Sequence, residues 1–463
     1  MQSITGAGEM AAAQLRDRRR NLASARLLDC LFAGHAGSFS STVGEAGRQA
    51  AHRLFAAAEV EANDLLSGHI AATRKRSAQA GGGRLLVLQD TTDFDYSGHH
   101  KTTGLGSVGR PPRCGMGLQA HAAVAATEDG LPLGVVDLEI WSRPVPEQSR
   151  SKDERNKIKK SKPTHQKESR KWLDCIKRVE QQIPEAVQLL FVQDREADMF
   201  ELFAQKRRET TDLLVRAAQP RRVQTIDEEG AASQQRGLFD AAASAPLLGQ
   251  VSVEVPASQS RMARTVALQV RAQRILLLPP QTTAGTAWSP VPLWLVSASE
   301  IGAPEGEPAL SWTLLSTLAA DTFEAACRLI GFYARRWLIE RLHFILKSGL
   351  NAEGLRFDDA HSLANGLALY YIAAWRLLYL THLARIRPND LASTCFEATE
   401  LEVLTLLSRE PVNTLNAAVT AIARLGGYRP SKKGGPPGVK TLWLGLRKLE
   451  AMAEGFSLAR SVT

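Results

Sequence analysis

Two apolar runs in this chain end in the same way. Leu85-Leu86-Val87-Leu88 runs into Gln89-Asp90, and Leu189-Leu190-Phe191-Val192 runs into Gln193-Asp194. A short, continuous apolar run bounded by polar residues reads as a strand buried on both faces, the habit of strands in parallel sheets. Each run is expected to deliver an aspartate at its C-terminal tip. Side chains beyond the carboxyl ends of neighbouring parallel strands project into one crevice. The repeated ending therefore points to an α/β fold with two acids directed at a common site.

A third acid lies far downstream, in the segment Tyr333-Ala334-Arg335-Arg336-Trp337-Leu338-Ile339-Glu340 that continues to Lys347. On a continuous helix at about 100° per residue, Tyr333, Arg336, Glu340 and Lys347 fall at roughly 0°, 300°, 340° and 320°. They share a narrow wedge, while Leu338, Leu342, Ile345 and Leu346 supply apolar anchors away from it. Taken alone, this pattern equally describes an amphipathic helix with Glu340 paired to a neighbouring arginine. Together with two aspartates, it offers three carboxylates, hard oxygen ligands suited to Mg²⁺ or Mn²⁺. The chain of 463 residues carries a formal net charge of +9. From Arg143 to Glu180 there are thirteen Lys/Arg against six Asp/Glu, and from Pro411 to Leu449 seven Lys/Arg and no acid. Clustered basic charge is the footprint of a polyanionic partner, so metal-dependent phosphodiester chemistry on nucleic acid is expected.

The five cysteines are scattered with no CxxC pair, which argues against a zinc site and fits reduced thiols in a cytosol. No apolar stretch is long enough for a membrane span, and the start of the chain lacks a signal-peptide core. Residues 1–79 read as helical, with basic clusters at Arg16-Asp17-Arg18-Arg19-Arg20 and Arg74-Lys75-Arg76. Gly81-Gly82-Gly83 marks a boundary. Residues 80–220 hold the two acidic strands, a polar loop from Thr91 to Gly117, a hairpin of Leu118–Ala126 and Leu133–Trp141, a helix from Arg195 to Arg208 and a strand from Asp212 to Ala217. That order suggests a mixed sheet with helices packed on it. Period-two alternation and prolines make 221–310 a separate β-rich insert. Residues 311–362 carry the glutamate helix, and 363–463 read as helical, with a Gly/Pro/Lys loop from Arg429 to Gly438.

The segment from Tyr333 to Lys347 fits Y-x2-R-x3-E-x6-K and resembles the signature of the insertion-sequence-four family of bacterial cut-and-paste transposases, which includes the transposon-five transposase. Asp90-Thr91-Thr92 resembles the family's first catalytic aspartate motif, and Asp194-Arg195-Glu196-Ala197-Asp198 its second. Ile422-Ala423-Arg424-Leu425-Gly426-Gly427-Tyr428 resembles a further family segment. The likeness runs in order along nearly the whole chain. It implies a ribonuclease-H-like mixed-sheet core with a β-rich insert, flanked by a helical N-terminal DNA-binding domain and a helical C-terminal dimerisation domain.

The resemblance also implies a mechanism. Asp90, Asp194 and Glu340 would hold two Mg²⁺ or Mn²⁺ ions. Water would cut one strand at the transposon end, and the freed 3′-hydroxyl would attack the opposite strand to form a hairpin. Water would reopen the hairpin, and the 3′-end would join target DNA. Tyr333, Arg336 and Lys347 match residues that contact DNA near the transferred end. Trp312 sits where relatives stack a tryptophan on a flipped base, with a buried core role as the alternative. Arg216 resembles an arginine near the hairpin, with a plain surface role as the alternative. Asp198 and Glu196 are expected at a helix start, where acids favour the dipole. The implied partners are double-stranded DNA at terminal inverted repeats, target DNA, and a second copy in a DNA-bound homodimer, at the bacterial nucleoid in the cytoplasm. Two features depart from the family pattern. The chain begins only a few residues before the Arg16 cluster, shortening the expected first DNA-binding helix, and Phe344 stands where some relatives carry lysine. A transposase-derived DNA-binding regulator or relic, and a metal-dependent nuclease that cuts without joining, stay open as alternatives.

Overall fold

The structure, a computed structural model, describes residues 4–33, 39–80, 83–110, 113–145, 167–227, 229–255, 264–281, 288–304, 306–307, 309–430 and 436–462. Most of the basic stretch from Arg150 to Arg170, and the Ser-Lys-Lys-Gly-Gly part of the C-terminal basic loop, lie outside the described residues.

The first elements are α1 (Gly6–Glu9), α2 (Arg18–Ala33), α3 (Phe39–Phe55) and α4 (Ala62–Gln79), then strands β1 (Leu85–Asp95), β2 (Gly106–Arg110), β3 (Arg113–Ala126) and β4 (Pro132–Trp141). Next come α5 (Arg170–Gln182), β5 (Leu189–Gln193), α6 (Phe200–Ala204), β6 (Thr211–Arg216), β7 (Arg222–Thr225), β8 (Arg236–Gly237), α7 (Leu238–Ser244), β9 (Leu247–Val255), β10 (Arg264–Leu277), β11 (Val291–Glu300) and β12 (Ser311–Ser316). Helices α8 (Phe323–Arg335), α9 (Trp337–Phe344), α10 (Ala360–Ile386), α11 (Ala398–Ser408), α12 (Leu415–Leu425) and α13 (Val439–Val462) complete the chain. Two compact units result. One comprises Met1–Gly83, Asp90–Lys157 and Leu338–Thr463; the other comprises Arg84–Gln89 and Ile158–Trp337.

The second unit is built on a mixed sheet. The apolar start of β1 pairs parallel with β5, Leu85 opposite Leu189 through Leu88 opposite Val192. Strand β5 pairs parallel with β6, which joins β12 antiparallel. Strands β11, β10, β7 and β8 follow in that order, and β9 pairs with the earlier part of the same β10 edge that β7 meets at Ile275–Leu277. The parallel strands are apolar on both faces, and all five residues of β5 are buried. Strand β10 instead alternates buried with more exposed positions, as a one-sided sheet requires. The alternating segments within 221–310, expected as a separate insert, form strands that extend this same sheet through the β11–β12–β6 pairing. Gln193 donates to the Gln89 side-chain oxygen at 2.6 Å, both side chains fully buried, so the shared Gln-Asp ending reflects a paired amide at matching positions of two parallel strands.

The first unit packs helices around α10, which is buried along nearly its whole length and correspondingly apolar on all sides. The Asp359 carboxylate caps its start by accepting the Ser362 N–H at 2.7 Å. Among the described residues no helix is long and apolar enough to cross a membrane. Strands β2, β3 and β4 form an antiparallel meander, the expected hairpin being its β3–β4 half.

Three local expectations need correction. Strand β1 does not stop at Asp90 but runs on to Asp95, its burial turning from complete to partial after Gln89. The segment read as a polar loop carries β2 and the start of β3, because Asp93 accepts the Gly109 N–H and Tyr96 donates its N–H to the Met116 carbonyl. Arg195–Arg208 is not one helix. A single 3₁₀ turn, Arg195–Ala197, is followed by the five-residue α6.

Candidate active site

Asp194 stands at the C-terminal tip of β5, extended at φ −87° and ψ −175° immediately before the 3₁₀ turn. Its Oδ1 accepts a hydrogen bond from the Tyr333 hydroxyl at 3.1 Å. Tyr333 is buried near the end of α8, a helix begun by Thr322, whose hydroxyl accepts the Ala325 N–H at 3.1 Å. Burial, and then the Asp194 charge, push the phenol above its ordinary range, while Arg336 and Arg216 pull the other way. The net effect keeps the hydroxyl protonated, so it remains a donor to Asp194.

Three further residues meet at that phenol. The Trp312 ring stands edge-on to Tyr333, with centroids 5.4 Å apart and planes at 68°. The Arg336 guanidinium lies 5.8 Å from the Tyr333 ring centroid. Arg216, at the end of β6, donates to the Ser311 carbonyl at 3.1 Å beside Trp312. Asp194, Arg216, Trp312, Tyr333 and Arg336 thus form one cluster in the second unit, although the sequence separates Asp194 from Tyr333 by 139 residues. Asp198 has a role other than the expected helix start. It is buried, accepts the N–H groups of Ala218 and Gln219 at 2.7 and 2.8 Å, and pairs with Arg221 at 2.6 Å. It fastens the chain leaving β6. Glu196 is exposed and lies 3.6 Å from Lys171.

Asp90 and Glu340 belong to the first unit. Asp90 Oδ1 accepts the Thr91 N–H at 2.9 Å, and Oδ2 lies 3.7 Å from His343 Nδ1. The buried His343 ring stands at 89° to Tyr371, with centroids 6.1 Å apart. Thr91 in turn meets His121 Nδ1 at 2.9 Å. Sequence reasoning missed both histidines. His343 falls among the unspecified positions of the signature, and His121 sits in a hairpin otherwise read only for its alternation.

Glu340 is half-buried in the first turn of α9. Lys347 lies beyond that helix, in a π-helical turn, Ile345–Gly349, closed by the Leu350 N–H on the Ile345 carbonyl at 2.8 Å. The continuous α-helix assumed for the wedge therefore breaks twice, at Arg336 between α8 and α9 and again at Ile345. The four apolar anchors Leu338, Leu342, Ile345 and Leu346 are nevertheless all buried. A π turn gives Lys347 its own direction, 3.8 Å from Glu353 and 5.6 Å from the Phe94 ring centroid. Such turns recur at functional sites.

Among the described residues, no group of three or more His, Cys, Asp or Glu is gathered to hold a metal ion. The carboxylate chemistry of Asp90, Asp194 and Glu340 is nonetheless of the hard-oxygen kind that Mg²⁺ and Mn²⁺ prefer.

Of the two basic clusters near the start of the chain, one is partly structural. Arg76 donates to Glu9 at 2.5 Å and lies 4.2 Å over the Trp375 ring. Arg20 pairs with Glu59 at 2.5 Å. At the other end of the chain, residues 372–463 match the family model described as the Transposase Tn5 dimerisation domain.

Proposed function

We propose that this chain is a DNA transposase of the insertion-sequence-four type that cuts duplex ends and joins them to target DNA, with Asp90, Asp194 and Glu340 as its catalytic carboxylates. The observation that carries the reading is the match of residues 372–463 to the Tn5 transposase dimerisation domain. The cluster of Asp194 with Tyr333, Arg336, Trp312 and Arg216 supports it, since it brings a carboxylate, two guanidiniums and an aromatic ring around one phenol. The parallel β1–β5–β6 arrangement supports a ribonuclease-H-like core.

Two Mg²⁺ or Mn²⁺ ions held by the three carboxylates would supply activation of the attacking oxygen and stabilisation of the leaving one. The chain's own residues do the rest. The Tyr333 hydroxyl fixes the orientation of the Asp194 carboxylate. Arg216 and Arg336 bring positive charge to a place where phosphate charge must be accommodated. Trp312 offers a ring on which an unpaired base can stack, worth about 1 to 3 kcal/mol and enough to offset part of the cost of flipping it out. Lys347 meets a backbone phosphate. The homodimer brings two transposon ends together at the nucleoid.

The test is incubation of the purified full chain and Mg²⁺ with labelled duplex carrying the flanking inverted repeats. Nicked, hairpin and joined products are expected. Binding without cleavage would overturn the reading in favour of a DNA-binding regulator, and cleavage without joining in favour of a nuclease.

A further inference from the structure

Within the first unit a cleft of about 390 Å³ opens beside the π-helical turn that carries Lys347. Ser348, the next residue in that turn, forms part of its wall with Asn351, Tyr370, Lys440, Trp443 and Arg447. The last three belong to α13, on neighbouring turns of its N-terminal half. Among the described lining residues there is no aspartate or glutamate. In a chain with 48 acids, a cleft whose described lining holds two cations and no carboxylate presents positive charge suited to an anion.

The Arg447 side chain is the telling one. Its Nε is buried and has no hydrogen-bond partner among the described residues. Burial alone pulls its guanidinium below the ordinary value, with no carboxylate in the balance. The rest of this half-buried guanidinium reaches outward, so its Nε is a donor at the cleft wall that an anion in the cleft can satisfy. Lys440 is exposed nearby, and the half-buried Trp443 adds an apolar face of the sort on which a sugar or base rests. Ser348 adds a hydroxyl, and Asn351, held in the left-handed region at φ 51°, an amide.

We propose that this cleft is a DNA-backbone subsite that takes one phosphodiester between Arg447 and Lys440, with Trp443 against the adjoining sugar. This rests on the DNA-cutting reading and extends it, because the sequence-derived site stops at Lys347. Phosphate contacts of this kind set position and affinity and carry no base preference.

The experiment measures binding of the full-length protein to a duplex bearing the inverted repeat across a salt series, for the wild type, Arg447→Gln, Lys440→Gln and Arg447→Lys. Loss of one neutralised phosphate makes the slope of log K against log salt less negative by about 0.9. Arg447→Gln and Lys440→Gln are expected to show that change, with affinity down about tenfold on every duplex sequence, while Arg447→Lys keeps the slope. Unchanged affinity and slope in both glutamine variants would overturn the subsite and leave the cutting reading standing. Equal loss in Arg447→Lys, with a lowered Tm, would make the residue structural and overturn the subsite too. Thermal stabilisation by inorganic phosphate that Arg447→Gln abolishes, with DNA binding unchanged, would make the cleft a small-anion site. A wild type that binds no duplex would overturn the cutting reading and the subsite together.

Discussion

At the scale of single residues, the phenol of Tyr333 organises the candidate site in the second unit. It is buried, bonded to Asp194 and flanked by Trp312, Arg216 and Arg336. A hydrogen bond to a charged group contributes about 1.5 to 3 kcal/mol. Tyr333→Phe keeps the ring against Trp312 and removes only the hydroxyl. First-strand cleavage is expected to fall roughly 10- to 100-fold, with affinity for the DNA end within about twofold of the wild type. Unchanged cleavage, measured alongside that affinity, would deny Tyr333 its part in orienting Asp194. Asp194, Tyr333 and Arg336 were legible in the sequence as motif positions, while Trp312 and Arg216 were named only by resemblance, each with a structural alternative. The phenol–carboxylate bond was not, since no periodicity relates a strand end to a helix 139 residues away. His343 was invisible for a different reason: its importance comes from standing 3.7 Å from Asp90, and a lone histidine on an apolar helix gives no signal of that.

At the scale of elements, the apolar runs and the alternation announced β1, β5, β9 and β10. The junctions went astray. A run of polar residues after Gln89 looked like a loop, yet it continues β1, since a half-buried strand tolerates Thr91, Thr92 and Asp93 once neighbouring groups take their hydrogen bonds. The signature helix looked continuous, because α and π turns share composition and differ only in which carbonyl each N–H reaches. In the C-terminal region two glycines set how closely α12 and α13 pack. A Cβ on Gly445 would stand 1.7 Å from the Ile422 carbonyl oxygen, and one on Gly426 1.8 Å from that of Thr441. Both obstacles are backbone, which cannot swing aside. Gly445→Ala is therefore expected to force the helices apart and cost about 1 to 3 kcal/mol, read as a lower urea midpoint. An unchanged midpoint would show that the α12–α13 contact is looser than described.

At the scale of the whole molecule, a buried polar network ties the start of the chain into the first unit. His69 Nδ1 meets Glu9 at 2.5 Å, His69 Nε2 accepts the Val135 N–H at 2.9 Å, and Arg76 joins from the other side. Burial holds His69 below its ordinary value of 6.5. Burial would raise Glu9, but its bonds to His69 and Arg76 leave it below its ordinary 4.5. In both cases the unfolded chain binds protons that the folded one refuses, so stability falls as pH falls. For His69 the loss begins as pH drops past about 6.5, and for Glu9 as it drops past about 4.5. Tm is expected to be level above about pH 7 and to decline through pH 6 and 5; a Tm that rises over that interval would contradict the assignment of the network.

Under the proposed function Asp90, Asp194 and Glu340 perform DNA cutting and joining, and the Asp194→Ala variant separates that chemistry from DNA binding alone. The variant and the wild type are compared on one labelled transposon-end duplex, for binding by gel shift and for strand cleavage with Mg²⁺. Retained binding, within about threefold, is expected together with cleavage lost by at least about 1,000-fold, a barrier rise of about 4 kcal/mol. Cleavage at the wild-type rate by Asp194→Ala would contradict the proposed function.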